Sequence, residues 1–192
     1  MEYVLAALMG YVLGSVPVSA LVARRHGVDL HTTSDGNPGA WNALEQLGAR
    51  RAWPAFVGDG LKALLPVAIA HVAWGYWPAY AAAAAAMAGH AFPLPDPRRG
   101  GKAVMCFVGA AIALSPLAAL ACAVLCAALT AVKGFAAGAR AAVFAFPLAQ
   151  LVTDPVEHVA ATGALMTFIG ALFLLRRRPA RANAARDAAR TA

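Results

Sequence analysis

Three stretches of this sequence hold residues whose types and spacing suit chemistry on an anion. The first is Gly36-Asn37-Pro38-Gly39-Ala40-Trp41-Asn42. Two glycines, a proline and two asparagines make a loop that exposes backbone N–H groups and tolerates positive φ, which suits an anion cradle. Arg24 and Arg25 precede it and Arg50 and Arg51 follow it, supplying charge for a phosphate. Gly14-Ser15, in the apolar segment before it, adds a hydroxyl. The same composition also suits a plain tight turn. The second stretch is Gly89-His90 followed by Arg98-Arg99-Gly100-Gly101-Lys102. A helix predicted directly after Lys102 would offer free N–H groups and its dipole to an anion, beside the lysine ammonium. The spacing and the Ser/Thr of a Walker A loop are missing. A positive cluster that only sets membrane orientation would look alike. The third is Asp59 with Lys62, three apart on a predicted helix inside an apolar stretch, where ionisable groups tend to be paired or functional. A structural ion pair that positions the neighbouring loop is the simpler reading.

His90 suits either a general base or a hydrogen-bond donor to a headgroup, and equally a satisfied polar residue at an interface. His26, His31, His71 and His158 have no partner that the sequence names. Cys106, Cys122 and Cys126 lie in or beside apolar segments; Cys122 and Cys126 share a helix face, but no His or acid joins them. They read as packing residues rather than a metal or redox pair.

The elements that must position these residues are membrane helices. The 192-residue chain is 61% hydrophobic and only 13% charged, with mean hydropathy +0.63. These values lie outside soluble-domain averages. The net charge of +7 and pI near 9.9 fit cationic loops facing anionic headgroups better than nucleic acid, for which no aromatic or zinc-finger signature is present. Apolar segments are predicted at 3–23, 54–73, 79–90, 103–114, 117–132, 141–152 and 159–175. The first lacks a basic lead-in and a clean cleavage site, so it reads as a retained span. Between them lie a long polar loop at 24–51, an aromatic turn at 74–78, polar loops at 93–102 and 133–140, an acidic turn at 153–158, and a basic tail at 176–192. With the N-terminus outside, every Lys and Arg except Lys62 falls on the inside, which satisfies the positive-inside rule. The expected architecture is therefore all-α and polytopic, with about seven transmembrane helices, N-out and C-in. Residues 1–175 form the transmembrane domain and 176–192 a cytoplasmic tail. All the polar, glycine-rich loops gather on one face.

Taken in order, the motifs resemble the bacterial acyl-phosphate:glycerol-3-phosphate acyltransferase family. The resemblance runs through Tyr11-Val12-Leu13-Gly14-Ser15-Val16-Pro17, Gly27-Val28-Asp29, Gly36-Asn37-Pro38-Gly39-Ala40-x-Asn42 and Leu47-Gly48. It continues through Asp59-x-x-Lys62, Gly89-His90-x-Phe92-Pro93, Gly100-Gly101-Lys102-Ala103-Val104 and Arg181-x-Asn183-x-x-Arg186. It implies a multi-pass protein of the inner (plasma) membrane whose active site faces the cytoplasm. It implies transfer of an acyl chain from acyl phosphate to the 1-hydroxyl of glycerol 3-phosphate, giving lysophosphatidic acid for phospholipid synthesis, with no cofactor and no metal. It assigns His90, Lys102 and Asn37 to catalysis. It assigns Ser15, Gly36, Gly39, Asn42, Arg50, Arg99, Gly100, Gly101, Lys133, Arg181 and Asn183 to phosphate binding. The partners implied are the two substrates and membrane lipids; the oligomeric state is left open. The chain departs from the family pattern at Asp35, Trp41, Glu45, Cys106 and Ala136. A relative that binds a phosphorylated metabolite or headgroup without catalysis is the alternative reading, and a small transporter a third.

Overall fold

The computed structural model describes residues 1–176. They form nine α-helices: α1 (Glu2–Gly14), α2 (Val18–Arg24), α3 (Ala40–Leu47), α4 (Ala49–Trp74), α5 (Tyr76–Ala91), α6 (Val104–Leu114), α7 (Pro116–Lys133), α8 (Phe135–Thr153) and α9 (Val156–Leu175). Single 3-10 turns lie at Leu30–Thr32 and Pro97–Arg99. Five stretches are long and apolar enough to cross a membrane: Glu2–Arg24, Ala49–Trp74, Pro116–Lys133, Phe135–Thr153 and Val156–Leu175. The first spans α1 and α2, which part at Pro17 because proline cannot donate the helical hydrogen bond. α5 and α6 are shorter, with 16 and 11 residues.

α5 sits at the centre. Ala79, Ala82, Ala83, Ala86, Met87 and Ala91 on it are fully buried, so it is covered on nearly every side. It can be surrounded this closely because its neighbours meet it with small residues. A Cβ on Gly10 or Gly14 of α1 would collide with the backbone of Ala82 or Ala86 of α5, and one on Gly89 would strike the Tyr11 carbonyl. In lipid, where burial against another helix gains little hydrophobic energy, such close packing of small residues is a main source of helix association. Larger side chains fill what remains: Phe107 on α6 meets Phe146 on α8 edge-on at 5.8 Å. Outward faces are apolar, as lipid requires, with Leu117, Leu120 and Val124 on α7 and Phe144, Leu148 and Leu151 on α8 exposed.

Several segment boundaries differ from the sequence expectation. The polar stretch 24–51 is not all loop. Ala40, Ala43, Leu44 and Leu47 turn inward as one face of α3 onto a small second core with Ala23, Leu30, Ala52 and Ala55. α4 then starts at Ala49 rather than near residue 54, and it carries Pro54 in its second turn at the loss of one helical hydrogen bond. Most of the 74–78 turn is likewise the start of α5. The expected loop at 133–140 shrinks to Gly134, whose φ of 82° reverses the chain in one residue. α8 begins at Phe135, and Arg140 within it donates to the Ala136 carbonyl at 3.0 Å.

Candidate active site

One end of the bundle gathers the loops at 25–39 and 92–103, the α7–α8 turn and Arg176. Its geometry is built from the first loop. Asn42, on α3 and 2% exposed, points its amide back into that loop. Its Nδ2 lies 2.9 Å from the Leu30 carbonyl, 3.0 Å from that of Asn37 and 3.3 Å from that of Thr33. Its Oδ1 accepts from the Thr33 hydroxyl at 3.1 Å. The side chain is thus spent on shaping the turn. Gly36 makes that turn with φ of 71°. Gly39 caps α3 so close to Asn37 that a Cβ there would stand 2.9 Å from Nδ2.

The second loop folds flat across the end of α5. The Gly101 N–H donates to the His90 carbonyl at 3.0 Å. A Cβ on Gly100 would collide with the Ala91 carbonyl, and one on Gly101 with His90 Nε2, with Asn37 Oδ1 3.2 Å away. Only glycine permits this approach, and it brings the two loops together over His90.

Between them lies a narrow cleft lined by Ser15, Pro38, His90, Arg99, Gly100 and Gly101, with Asp59 and Lys62 also contributing. Beneath it is a buried charge network. Lys62 Nζ is 2.9 Å from Asp59 Oδ1 and donates to the Val16 carbonyl at 2.8 Å, and the Ser19 hydroxyl donates to Asp59 Oδ2. His90 Nδ1 lies 3.9 Å from Asp59 Oδ1, beyond hydrogen-bond reach. His90 Nδ1 and Asn37 Oδ1 are buried without a hydrogen-bond partner among the described residues. Buried polar atoms are normally paired, so two such atoms beside one cleft point to a ligand.

Two cations of the second loop, Arg99 and Lys102, meet aspartates of the first. Arg99 lies 3.4 Å from Asp29, and Lys102 donates to Asp35 while lying 4.3 Å from the centre of the Phe173 ring. Burial pushes both carboxyls up, but other contacts outweigh it and hold both below the usual aspartate range. For Asp29 these are the His31 N–H and the charges of His31, Arg99 and Arg24; for Asp35 they are Lys102 and the Asn37 N–H.

Of the residues expected from sequence, Ser15, His90, Arg99, Gly100 and Gly101 line the cleft, and Asn37, Gly36, Gly39 and Lys102 adjoin it. Ser15 Oγ donates to the Tyr11 carbonyl at 2.7 Å. Arg50, in the first turn of α4, and Lys133, at the end of α7, are exposed and do not line it. Phe135, stacked on Trp41 at 5.8 Å, holds the Lys133 turn against α3. Arg181 and Asn183 lie outside the described residues. Sequence reasoning did not assign roles to Asp29 and Arg176. Arg176 donates to the carbonyls of Pro97 and Arg98 and lies 4.2 Å from the centre of the Phe92 ring, tying α9 to the second loop. Its signal was its place as the first charge after the last apolar run.

Fold and cleft define the class: an all-helical integral membrane protein with a cationic, glycine-lined cleft at one end of its bundle. The glycerol-3-phosphate acyltransferase family model matches residues 4–186, and the chain belongs to that family. The glycerol-3-phosphate acyltransferase of Rubrobacter xylanophilus is 43% identical over 114 residues, 59% of this chain and 57% of that one. That of Agrobacterium fabrum is 32% identical over 170 residues, 88% of this chain and 81% of that one. The chain thus spans less than two thirds of the Rubrobacter relative but most of the Agrobacterium one. Among solved structures, the glycerol 3-phosphate form of PlsY (YgiH), an integral membrane glycerol 3-phosphate acyltransferase, superposes with a TM-score of 0.78 at 28% identity, covering 97% of this chain and 92% of that one. Its lysophosphatidic acid form gives 0.75 at 27% identity, covering 93% and 89%.

Proposed function

We propose that this chain moves an acyl group from acyl phosphate to the 1-hydroxyl of glycerol 3-phosphate, releasing inorganic phosphate and lysophosphatidic acid. The observation that carries this reading is the pair of unpartnered polar atoms, His90 Nδ1 and Asn37 Oδ1, beside a glycine-lined cleft with cations at its rim and floor. Both substrates are phosphates, and such a cleft at the end of an apolar bundle suits two anions and an acyl tail. Lys102, Arg99 and the Gly100-Gly101 backbone hold phosphate. Asn37, Gly36, Gly39 and Ser15 shape the cradle, and Asn42 acts by fixing it. Arg50 and Lys133 draw anions toward the rim, and Arg181 and Asn183 keep the phosphate-binding role that the family resemblance implies. The hydroxyl oxygen attacks the acyl carbon, the carbon–oxygen bond to the donor phosphate breaks, and phosphate leaves. The hydroxyl proton goes to the departing phosphate or to His90. Acyl phosphate is already activated, so positioning and charge neutralisation supply the rate and no enzyme nucleophile is needed.

α5 and α6 complete a seven-span bundle, N-out and C-in, with the cleft facing the cytoplasm across the inner membrane. The distribution of Lys and Arg supports this orientation. Purified protein given glycerol 3-phosphate and, in parallel, acyl phosphate, acyl-CoA or acyl-carrier protein is expected to form product from acyl phosphate. Product from acyl-CoA alone would overturn the donor assignment. The contact of Asp35 with Lys102 favours a second reading, a family relative that binds a phosphorylated ligand without acyl transfer.

A further inference from the structure

Two loops meet at one carboxylate. Asp35 Oδ1 accepts the Asn37 backbone N–H at 3.1 Å, and Oδ2 accepts from Lys102 Nζ. The same side chain therefore occupies a backbone donor of the first loop and the ammonium of the second. These are the two kinds of donor that an incoming anion needs there. The Asp35 side chain is 48% exposed and that of Lys102 14%, so the aspartate is the partner with room to leave. Lys102 stays, held over the Phe173 ring.

We propose that Asp35 is a specificity-determining residue, a built-in anion on Lys102 that a phosphate dianion displaces and a carboxylate does not. The inference rests on the assignment of Lys102 as a phosphate-binding cation. A ligand carboxylate that replaces Asp35 exchanges one negative charge for another. It gains no Coulomb energy, and it competes with a group already tethered beside the lysine at high effective concentration. A phosphate monoester carries nearly two charges and three acceptor oxygens, so it outbids the aspartate at Lys102, and Arg99 of the same loop lines the adjoining cleft. The relevant competitor is the long-chain carboxylate of free fatty acid. It shares an apolar tail with the acyl substrate and enters from the same bilayer. Asp35 keeps that headgroup off the lysine.

The test is binding to purified protein in detergent at about pH 8, where phosphate monoesters are dianions. Calorimetry would follow glycerol 3-phosphate, with octanoate as competitor, on wild type, Asp35→Asn and Asp35→Glu. Wild type is expected to bind glycerol 3-phosphate with octanoate competing weakly. Asp35→Asn should bind glycerol 3-phosphate about fivefold tighter, the scale of a half-exposed ion pair, and octanoate should become an effective competitor. Asp35→Glu should keep the wild-type discrimination. Weaker binding of glycerol 3-phosphate by Asp35→Asn, or octanoate still competing weakly against it, would overturn the proposal and make Asp35 a residue that only positions Lys102. Because the readout is binding, a failure to transfer acyl groups would sink the catalytic reading and leave this one standing.

Discussion

At the scale of the residue, the departures from the family pattern turn out to answer one another. Glu45 accepts from the Trp41 indole at 2.7 Å and from the Ser34 hydroxyl at 2.8 Å, and Asp35 meets Lys102. Neither added carboxylate is left facing the cleft unpartnered. The strictest residue there is Gly101. A methyl added at Gly101→Ala enters the space of His90 Nε2. That variant is expected to lose acyl transfer about tenfold or more, since small misplacements at a reacting centre cost that much, with helical content by circular dichroism unchanged. Acid acts on the same loops. Asp29 and Asp35 have carboxyls held below the ordinary value of 3.8, so their contribution to loop order is complete above that pH and is lost as pH falls through their lowered values. Proteolysis within 25–39 is expected to accelerate only below that point; an onset near neutral pH would contradict the assignment. His90, Asn37, Gly100, Gly101 and Lys102 were legible in the sequence because polar and glycine residues stand out in an apolar chain. The role of Asn42 was not, because an amide suits a ligand and a loop carbonyl equally well. Only its direction, toward Leu30 and Asn37, decides between them. Arg50 and Lys133 were legible as charge, but their distance from the cleft was not.

At the scale of the element, hydropathy found every long helix but started α4, α5 and α8 too late. For α4 and α8 the reason was charge. Arg50, Arg51 and Arg140 lower local hydropathy and so look like loop, yet arginine is a good helix former, and α4 and α8 run through all three positions. α3 escaped because its eight residues hide one apolar face in a polar stretch. The close crossing of α1 against α5 depends on Gly10, Gly14 and Gly89. Gly14→Leu drives a side chain into the Ala86 backbone and is expected to destabilise the bundle by about 1–3 kcal/mol or more, read as a lowered melting temperature in detergent. Gly170→Ala on α9 meets nothing within 4 Å and serves as the control, with a shift within about 0.5 kcal/mol. Equal effects of the two substitutions would refute the packing account.

At the scale of the whole molecule, the alternation of apolar segments and the one-sided placement of Lys and Arg foretold that the glycine-rich loops share one end. The contacts of Lys102 with Asp35, Arg99 with Asp29 and Arg176 with Pro97 and Arg98 bear that gathering out. What no local pattern carried was the closeness of the gathering, which follows from helices meeting through glycine and alanine around α5. The central claim is that this gathered end catalyses acyl transfer. Purified protein in liposomes, supplied with acyl phosphate and labelled glycerol 3-phosphate, tests it through the rate of lysophosphatidic acid formation. The account predicts steady product from the wild type and a loss of about a hundredfold or more in Lys102→Ala, the scale of removing one charge-stabilising donor. Folded wild-type protein that binds glycerol 3-phosphate yet forms no product, or Lys102→Ala turning over at the wild-type rate, would contradict it.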